Sequence, residues 1–260
     1  MCLAMSFSRL AQSWIKGIAY RCGFSLRRLR SAQASAVSSG DFTGKVRPLL
    51  HRADPYQGFD WQAWPEDRAG WGSDSPAFGE LVAELKPARI IEVGTWKGGS
   101  AITLAEHAAK SGLDVEIICV DTWLGALEMW TDLGDGERHG SLGLKHGYPT
   151  LYYQFLANVC RADLQGRITP FPIPSVTAAQ WFSLRDVKAD LIYIDGSHEE
   201  EDVYQDLLSY WGLVRPGGVL FGDDWSWDGV RLAVQRFARE NGLSIRHRHD
   251  KWELRREPEG

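Results

Sequence analysis

From position 75 onward, two hydrophobic periods alternate along the chain. Short, nearly unbroken apolar runs occupy Arg89–Val93, Val115–Asp121, Arg167–Phe171, Ala189–Asp195 and Gly218–Asp223. Between them, apolar residues recur at helical spacing over Pro76–Leu85, Gly98–Lys110, Thr150–Ala162, Val176–Leu184, Glu199–Trp211 and Asp228–Asn241. A strand without in–out alternation is covered on both faces, and the intervening helices supply that cover. The pattern predicts an α/β fold: a Rossmann-like, doubly wound sheet of seven strands, mostly parallel, in which Leu243–His249 and Lys251–Arg255 form an antiparallel C-terminal hairpin. Right-handed crossovers put ligands at the carboxyl ends of such strands. Glu92, Gly94, Asp121, Asp195, Asp223 and Asp224 all fall there.

The first 75 residues read differently. Residues 1–40 form a leader and linker: Leu3, Phe7, Leu10, Trp14 and Ile18 recur at helical spacing, followed by the small, polar run Ser31–Gly40. That leader holds six basic residues (Arg9, Lys16, Arg21, Arg27, Arg28, Arg30) and no acid, leaving 23 basic against 34 acidic residues, a net of −11, in the remainder. Three readings fit residues 3–30: a solvated or core-packed helix, a peripheral membrane-surface helix, and an organelle transit peptide. A leader of this kind could also mediate packing into a homo-oligomer. Residues 41–75, with Trp61, Trp64 and Trp71, are expected as an irregular wrap on the main domain, residues 76–260. The acidic body is a poor match for a phosphate backbone, so no nucleic-acid partner is expected. No apolar run reaches the ~20 residues of a spanning helix. The four scattered cysteines (Cys2, Cys22, Cys119, Cys160) carry no C-x-x-C pair. They point to a reducing, cytoplasmic setting.

The first strand runs into Glu92-Val93-Gly94-Thr95-Trp96-Lys97-Gly98-Gly99-Ser100, a strand, a glycine turn and a helix start. Glycines let backbone approach a ligand, and a helix N-terminus offers free N–H groups. Ser100 stands where a P-loop needs lysine, and Trp96 breaks the dinucleotide fingerprint. Glu92 would accept from an ammonium or hydroxyl but would repel a pyrophosphate, so a nucleoside-like ligand without phosphates is expected. The plain alternative is a structural turn with Ser100 as its cap. Asp121 ends the second strand, where an acid in such folds holds ribose hydroxyls. Together with Leu213-Val-Arg-Pro-Gly-Gly-Val219, these residues resemble the class I S-adenosylmethionine-dependent methyltransferases over about residues 75–245. The resemblance implies that Glu92, Gly94, Thr95, Trp96 and Ser100 line the methionine part of the cofactor and that Asp121 holds the ribose. Thr122 or Trp123 would border the adenine, with Ser175 nearby.

The fourth strand ends Asp195-Gly-Ser-His198 and the fifth ends Gly222-Asp223-Asp224. Adjacent strands would gather three carboxylates, which repel unless a cation or protons intervene. All-oxygen ligands favour Mg²⁺, Ca²⁺ or Mn²⁺. His198 suits removal of a hydroxyl proton. The plain reading is helix capping: Ser197 with Glu200 forms a capping box, and Asp224 or Asp228 caps the following helix. D-G-S-H with D-D 28 residues after its Asp is similar to the metal-dependent sugar O-methyltransferases of macrolide biosynthesis. That resemblance implies Mg²⁺ on Asp195, Asp223 and Asp224, catalytic roles for Asp195 and His198 with the latter as base, and a sugar or polyketide-like hydroxyl as acceptor. The insert Leu124–Pro149, with Glu128, Trp130, Asp132, Asp135, Glu137, Arg138, His139, Lys145 and His146, departs from the family pattern. It is expected as a lid, in which Glu128, Asp132 or Glu137 adds a metal ligand or holds a sugar. Two rival functions remain at this level: metal-independent methylation, and a non-catalytic adenosyl-binding accessory protein.

Overall fold

A computed structural model describes residues 42, 44–131 and 136–258; the leader readings for residues 1–40, Asp132 and Asp135 lie outside the described residues. Seven strands form one sheet in the order β3-β2-β1-β4-β5-β7-β6. β1 (Arg89–Val93), β2 (Glu116–Asp121), β3 (Ile168–Pro172), β4 (Ala189–Ile194) and β5 (Val214–Gly222) are parallel. β6 (Arg246–Arg248) and β7 (Lys251–Arg255) are antiparallel, with β7 lying along β5. The strand order reverses between β1 and β4, and such a reversal opens a crevice at the strands' carboxyl ends.

Two apolar layers cover the sheet. One face packs on α7 (Ser175–Leu184), α8 (Glu200–Trp211) and α9 (Asp228–Asn241), through residues such as Phe182, Leu207 and Phe237. The other packs on α2 (Pro76–Leu85), α3 (Gly99–Lys110) and α6 (Leu151–Arg161), through Phe78, Leu104 and Phe155. Helix limits follow local chemistry. Ser75 caps α2 ahead of Pro76, and Lys86 ends it in the left-handed region before Pro87. Gly242, also left-handed, ends α9.

Several expectations need correction. β5 begins at Val214, not Gly218, and carries Pro216 and Gly217 through a register irregularity opposite Ala189–Leu191. The Pro-Gly-Gly run therefore bends a strand instead of preceding one. The 41–75 wrap is not wholly irregular: it holds α1 (Arg47–Leu50) and a single 3₁₀ turn, Trp61–Ala63. The insert holds α4 (Leu127–Thr131) and α5 (Glu137–Gly140). The capping box does not form. Glu199 occupies the N-cap of α8 without a side-chain bond, while the Ser197 hydroxyl accepts from Glu199 N and donates to Asp202. Neither Asp224 nor Asp228 caps α9, whose N-cap is Trp227. No helix among the described residues is long and apolar enough to cross a membrane.

The wrap is tied to the sheet by a buried ion pair. Arg89 and Glu116 face each other across β1 and β2, with Nε 3.4 Å from Oε2 and both side chains almost fully buried. The guanidinium also donates to the carbonyls of Phe42, Gly44 and Lys188, and Glu116 Oε1 accepts from Val46 N and Arg47 N. Removing one partner leaves the other charge buried and alone. Arg89→Met should lower the unfolding free energy by roughly 3–5 kcal/mol in urea titrations, and Glu116→Gln by less.

Candidate active site

The glycine turn is built on Asp121. Its Oδ2 accepts from Thr95 N (2.9 Å) and Trp96 N (2.8 Å), and its Oδ1 accepts from Trp123 N (2.7 Å). One carboxylate thus fixes the loop after β1 and the loop after β2. Gly94 (φ +81°) lies against β4, where an added Cβ would stand 2.1 Å from Asp195 O. Gly98, also left-handed, starts α3 in place of Ser100, which is inside the helix. The Ser100 hydroxyl donates to Glu92 Oε1 at 2.5 Å. Burial raises the Glu92 pKa to about 8, opposed by Ser100 and reinforced by the Asp195 and Asp121 charges. Two buried atoms at this turn have no partner: Glu92 Oε2 and Thr95 Oγ1.

The remaining residues expected around a cofactor divide. Thr122 is exposed beside the turn. Trp123 is in the core: its indole donates to Trp96 O, and its ring packs on Tyr152 and Phe155. Ser175 begins α7 and gives its hydroxyl proton to Asp206 at 2.6 Å. Trp96, in the left-handed region at φ +51°, turns its ring toward Trp71 of the wrap, 6.5 Å away.

Beyond β4 and β5 the acids converge, but each faces a different partner. Tyr193 OH donates to Asp195 Oδ2 (3.1 Å) and lies 3.4 Å from Asp223 Oδ2. Asp223 Oδ2 also receives Lys251 Nζ at 2.5 Å, and its Oδ1 accepts from Asp224 N. Asp224, left-handed at φ +60°, turns Oδ2 to His198 Nε2 at 2.9 Å. Burial pushes Asp195 up to about 8, and the charges of Asp223 and Asp224 add to this while Lys251 and Tyr193 oppose it. Burial raises Asp223 as well, against Lys251.

His198 is held on three sides. Trp227 stacks on the imidazole at 4.3 Å with planes 12° apart. Asp224 fixes Nε2. Glu128 of α4 brings Oε1 within 3.0 Å of Nδ1, yet the contact is not aligned as a hydrogen bond and buried Nδ1 has no hydrogen-bond partner. The hydrogen bond to Asp224 raises the His198 pKa against the effect of burial, and the Asp224, Glu128 and Asp195 charges add to it. An open depression of about 720 Å³ lies beside this ring, bordered by Ser226, Trp227, Gly229 and Leu232. A second cavity, about 370 Å³, lies between the wrap and Cys160, by residues such as Tyr56 and Trp61. Tyr56 bonds the first residue of β3, so that cavity is at the opposite sheet edge from the acids.

A divalent ion needs several oxygens turned on one point with lone pairs to spare. Among the described residues no group of three His, Cys, Asp or Glu side chains is arranged to hold a metal ion. The sequence reading passed over Tyr193 and Lys251. Lys251 is legible only through register: Gly222 pairs with Trp252, which sets Lys251 opposite Asp223.

The comparisons agree with this architecture. A family model described as a methyltransferase domain matches residues 91–225. The uncharacterized protein y4gI of Sinorhizobium fredii (strain NBRC 101917 / NGR234) is 24% identical over 159 residues, and the match covers 61% of this chain. It covers 15% of y4gI, so the chain spans only a small part of the length of that curated relative. The O-methyltransferase TomG of Streptomyces achromogenes, involved in tomaymycin synthesis and solved with S-adenosylmethionine, superposes with a TM-score of 0.52 at 15% identity, over 74% of this chain and 83% of TomG. A putative O-methyltransferase of Klebsiella pneumoniae gives 0.51 at 18%, over 82% and 94%. The Bacillus cereus O-methyltransferase solved with S-adenosylhomocysteine gives 0.50 at 18%, over 81% and 95%. At these identities the likeness concerns the fold.

Because Gly94 combines a left-handed backbone with contact against Asp195 O, Gly94→Ala should cost roughly 2–4 kcal/mol of stability. Gly112→Ala, left-handed but with open space around it, should cost only ~1–2 kcal/mol. Parallel urea unfolding of the two variants checks the difference.

Proposed function

The chain belongs to the methyltransferase-domain family, and from that premise we propose that it moves the methyl group of S-adenosylmethionine to a hydroxyl oxygen of a small acceptor, with His198 as base. The observation that carries the reading is a buried Nδ1 with no hydrogen-bond partner, on a ring whose Nε2 is fixed by Asp224, at the rim of an open depression.

The cofactor's fit rests on the turn. Glu92 Oε2 and Thr95 Oγ1 are buried and unpartnered, as an amino-acid head group would require. Gly94 lets the turn close against the Asp195–Gly196 backbone, where a side chain has no room. Asp121, at the carboxyl end of β2, stands beside the turn where a ribose hydroxyl would be received. Thr122 borders the adenine side. When bound, the cofactor supplies an electrophilic methyl carbon on a sulfonium.

Asp224 accepts from Nε2–H and so selects the tautomer in which Nδ1 carries a lone pair. The acceptor hydroxyl donates to that lone pair, and His198 takes its proton as the oxygen attacks. Trp227 keeps the ring from rotating out of line. Glu128, on the insert, flanks the resulting imidazolium and steadies the new positive charge. Holding the hydroxyl in line with the methyl carbon supplies much of the remaining acceleration. The depression is lined by Ser226, Trp227 and the carboxylates Glu199, Glu200 and Asp228, polar and aromatic groups suited to the hydroxyls of a sugar or natural-product-like acceptor. The D-G-S-H and D-D pattern and the O-methyltransferase names of the structural neighbours support the same acceptor chemistry.

His198→Ala should lower turnover by roughly 10²–10⁴-fold, while calorimetry with S-adenosylhomocysteine shows affinity within about threefold of wild type, under ~0.7 kcal/mol. Unchanged turnover would remove His198 from the mechanism. A base must be neutral, and Asp224 raises the His198 pKa. The rising limb of the kcat–pH profile should therefore have its midpoint above the ordinary histidine value of 6.5. Asp224→Asn removes the largest cause, so the midpoint should move down and kcat should fall. A midpoint that stays in place would dissociate the limb from this pair.

A further inference from the structure

Asp223, one of the three residues expected to share a divalent cation, is already served by a cation that belongs to the chain. Lys251 opens β7, and its side chain is wholly inaccessible to solvent. Its ammonium donates to Asp223 Oδ2 at 2.5 Å, to Asp250 Oδ2 at 2.8 Å and to Gly72 O at 3.2 Å. These are the three donations an ammonium can make. The rings of Phe78 and Tyr193 lie 5.5 and 6.0 Å from it. Gly72 closes the site from the wrap: at φ +62°, an added Cβ would stand 2.7 Å from Asp223 Oδ2 and 2.8 Å from Nζ.

This geometry leaves Asp223 little to offer a metal and commits one oxygen each of Asp195 and Asp224. Asp223 spends Oδ2 on Lys251 and Tyr193, and Oδ1 on Asp224 N. Asp195 accepts from Tyr193, and Asp224 is engaged by His198. An incoming ion would meet a fixed positive charge 2.5 Å from one of its intended ligands. We propose that the buried Lys251 ammonium takes the place of the divalent cation at the β4–β5 edge, so that the protein binds no metal there and methylates without one. Lys251 is a positioning residue: it neutralises Asp223, and through Tyr193 and the Asp223–Asp224 turn it sets the frame in which Asp224 meets His198. The inference rests on the proposed methyl transfer, but its principal test does not.

Wild-type protein saturated with S-adenosylhomocysteine is titrated with Mn²⁺, and free Mn²⁺ is followed by electron paramagnetic resonance. The expected result is an undiminished free signal, with Mg²⁺ making no difference. Stoichiometric Mn²⁺ uptake displaced by Mg²⁺ overturns the proposal. With any acceptor that is turned over, rates in excess EDTA should match those in Mg²⁺, and loss of turnover in EDTA overturns it as well. If no acceptor is turned over, the proposed reaction fails while the Mn²⁺ result still stands. Lys251→Met, checked for folding by circular dichroism, should lose roughly tenfold in turnover, the weight of about one charge-assisted hydrogen bond. It should also take up Mn²⁺ that the wild type ignores, a signature that a purely structural lysine would not produce. A folded Lys251→Met that keeps wild-type turnover and still ignores Mn²⁺ overturns the proposal, and where the variant does not fold, the wild-type titration decides.

Discussion

A lysine ammonium buried without a partner would cost more than a domain of this size can spare. Everything near the β4–β5 edge is arranged so that this cost does not arise. β7 runs antiparallel to β5, which brings Lys251 opposite Asp223. The wrap sends Gly72 O to the same nitrogen, and Ser75 holds Asp250, the ammonium's second carboxylate. Segments far apart in sequence are therefore joined at one charged atom. The segment 41–75 is consequently structural: it closes over the pair at Gly72 and reaches the other sheet edge through Arg89 and Glu116.

Around that fixed point the site divides into two halves with different electrostatics. At β1 and β2, Asp121 is satisfied by backbone amides and shapes the loops, while Glu92 is fully buried with one oxygen unpartnered. At β4 and β5, the acids are engaged one by one, by a phenol, an ammonium and an imidazole. The reversal of strand order between β1 and β4 is what puts the halves face to face, with Gly94 touching Asp195 O. The histidine reaches over from the second half, with its Nδ1 buried beside Glu128 Oε1.

The strands and helices were legible because their periods are strong. Apolar runs such as Arg89–Val93 and Ala189–Asp195 match the observed strands to within a residue, since a doubly covered strand has no other way to be written. The corner residues were legible too, because topology sends Asp121, Asp195 and Asp223 to one side. What the one-dimensional pattern misses is pairing. Trp123 looks like a pocket residue beside Asp121 but is drawn into the core by Tyr152 and Phe155. Ser197 and Glu200 have capping-box spacing, yet the N-cap falls two residues later, at Glu199, and the Ser197 hydroxyl turns to Glu199 N and Asp202. Lys251 reads as an ordinary charged strand end until the antiparallel register is known. Acids in sequence suggest an ion from outside; only three dimensions reveal a cation inside.

The two orphaned atoms at the glycine turn have a consequence beyond recognition. A buried polar atom without a partner costs about 1–3 kcal/mol, and here two of them, Glu92 Oε2 and Thr95 Oγ1, sit in the same few residues. An occupant that satisfies both relieves that burden, so loading and folding are thermodynamically linked. With the turn empty, the fold is weaker and more open to proteolysis; with both atoms satisfied, the same chain is hardened.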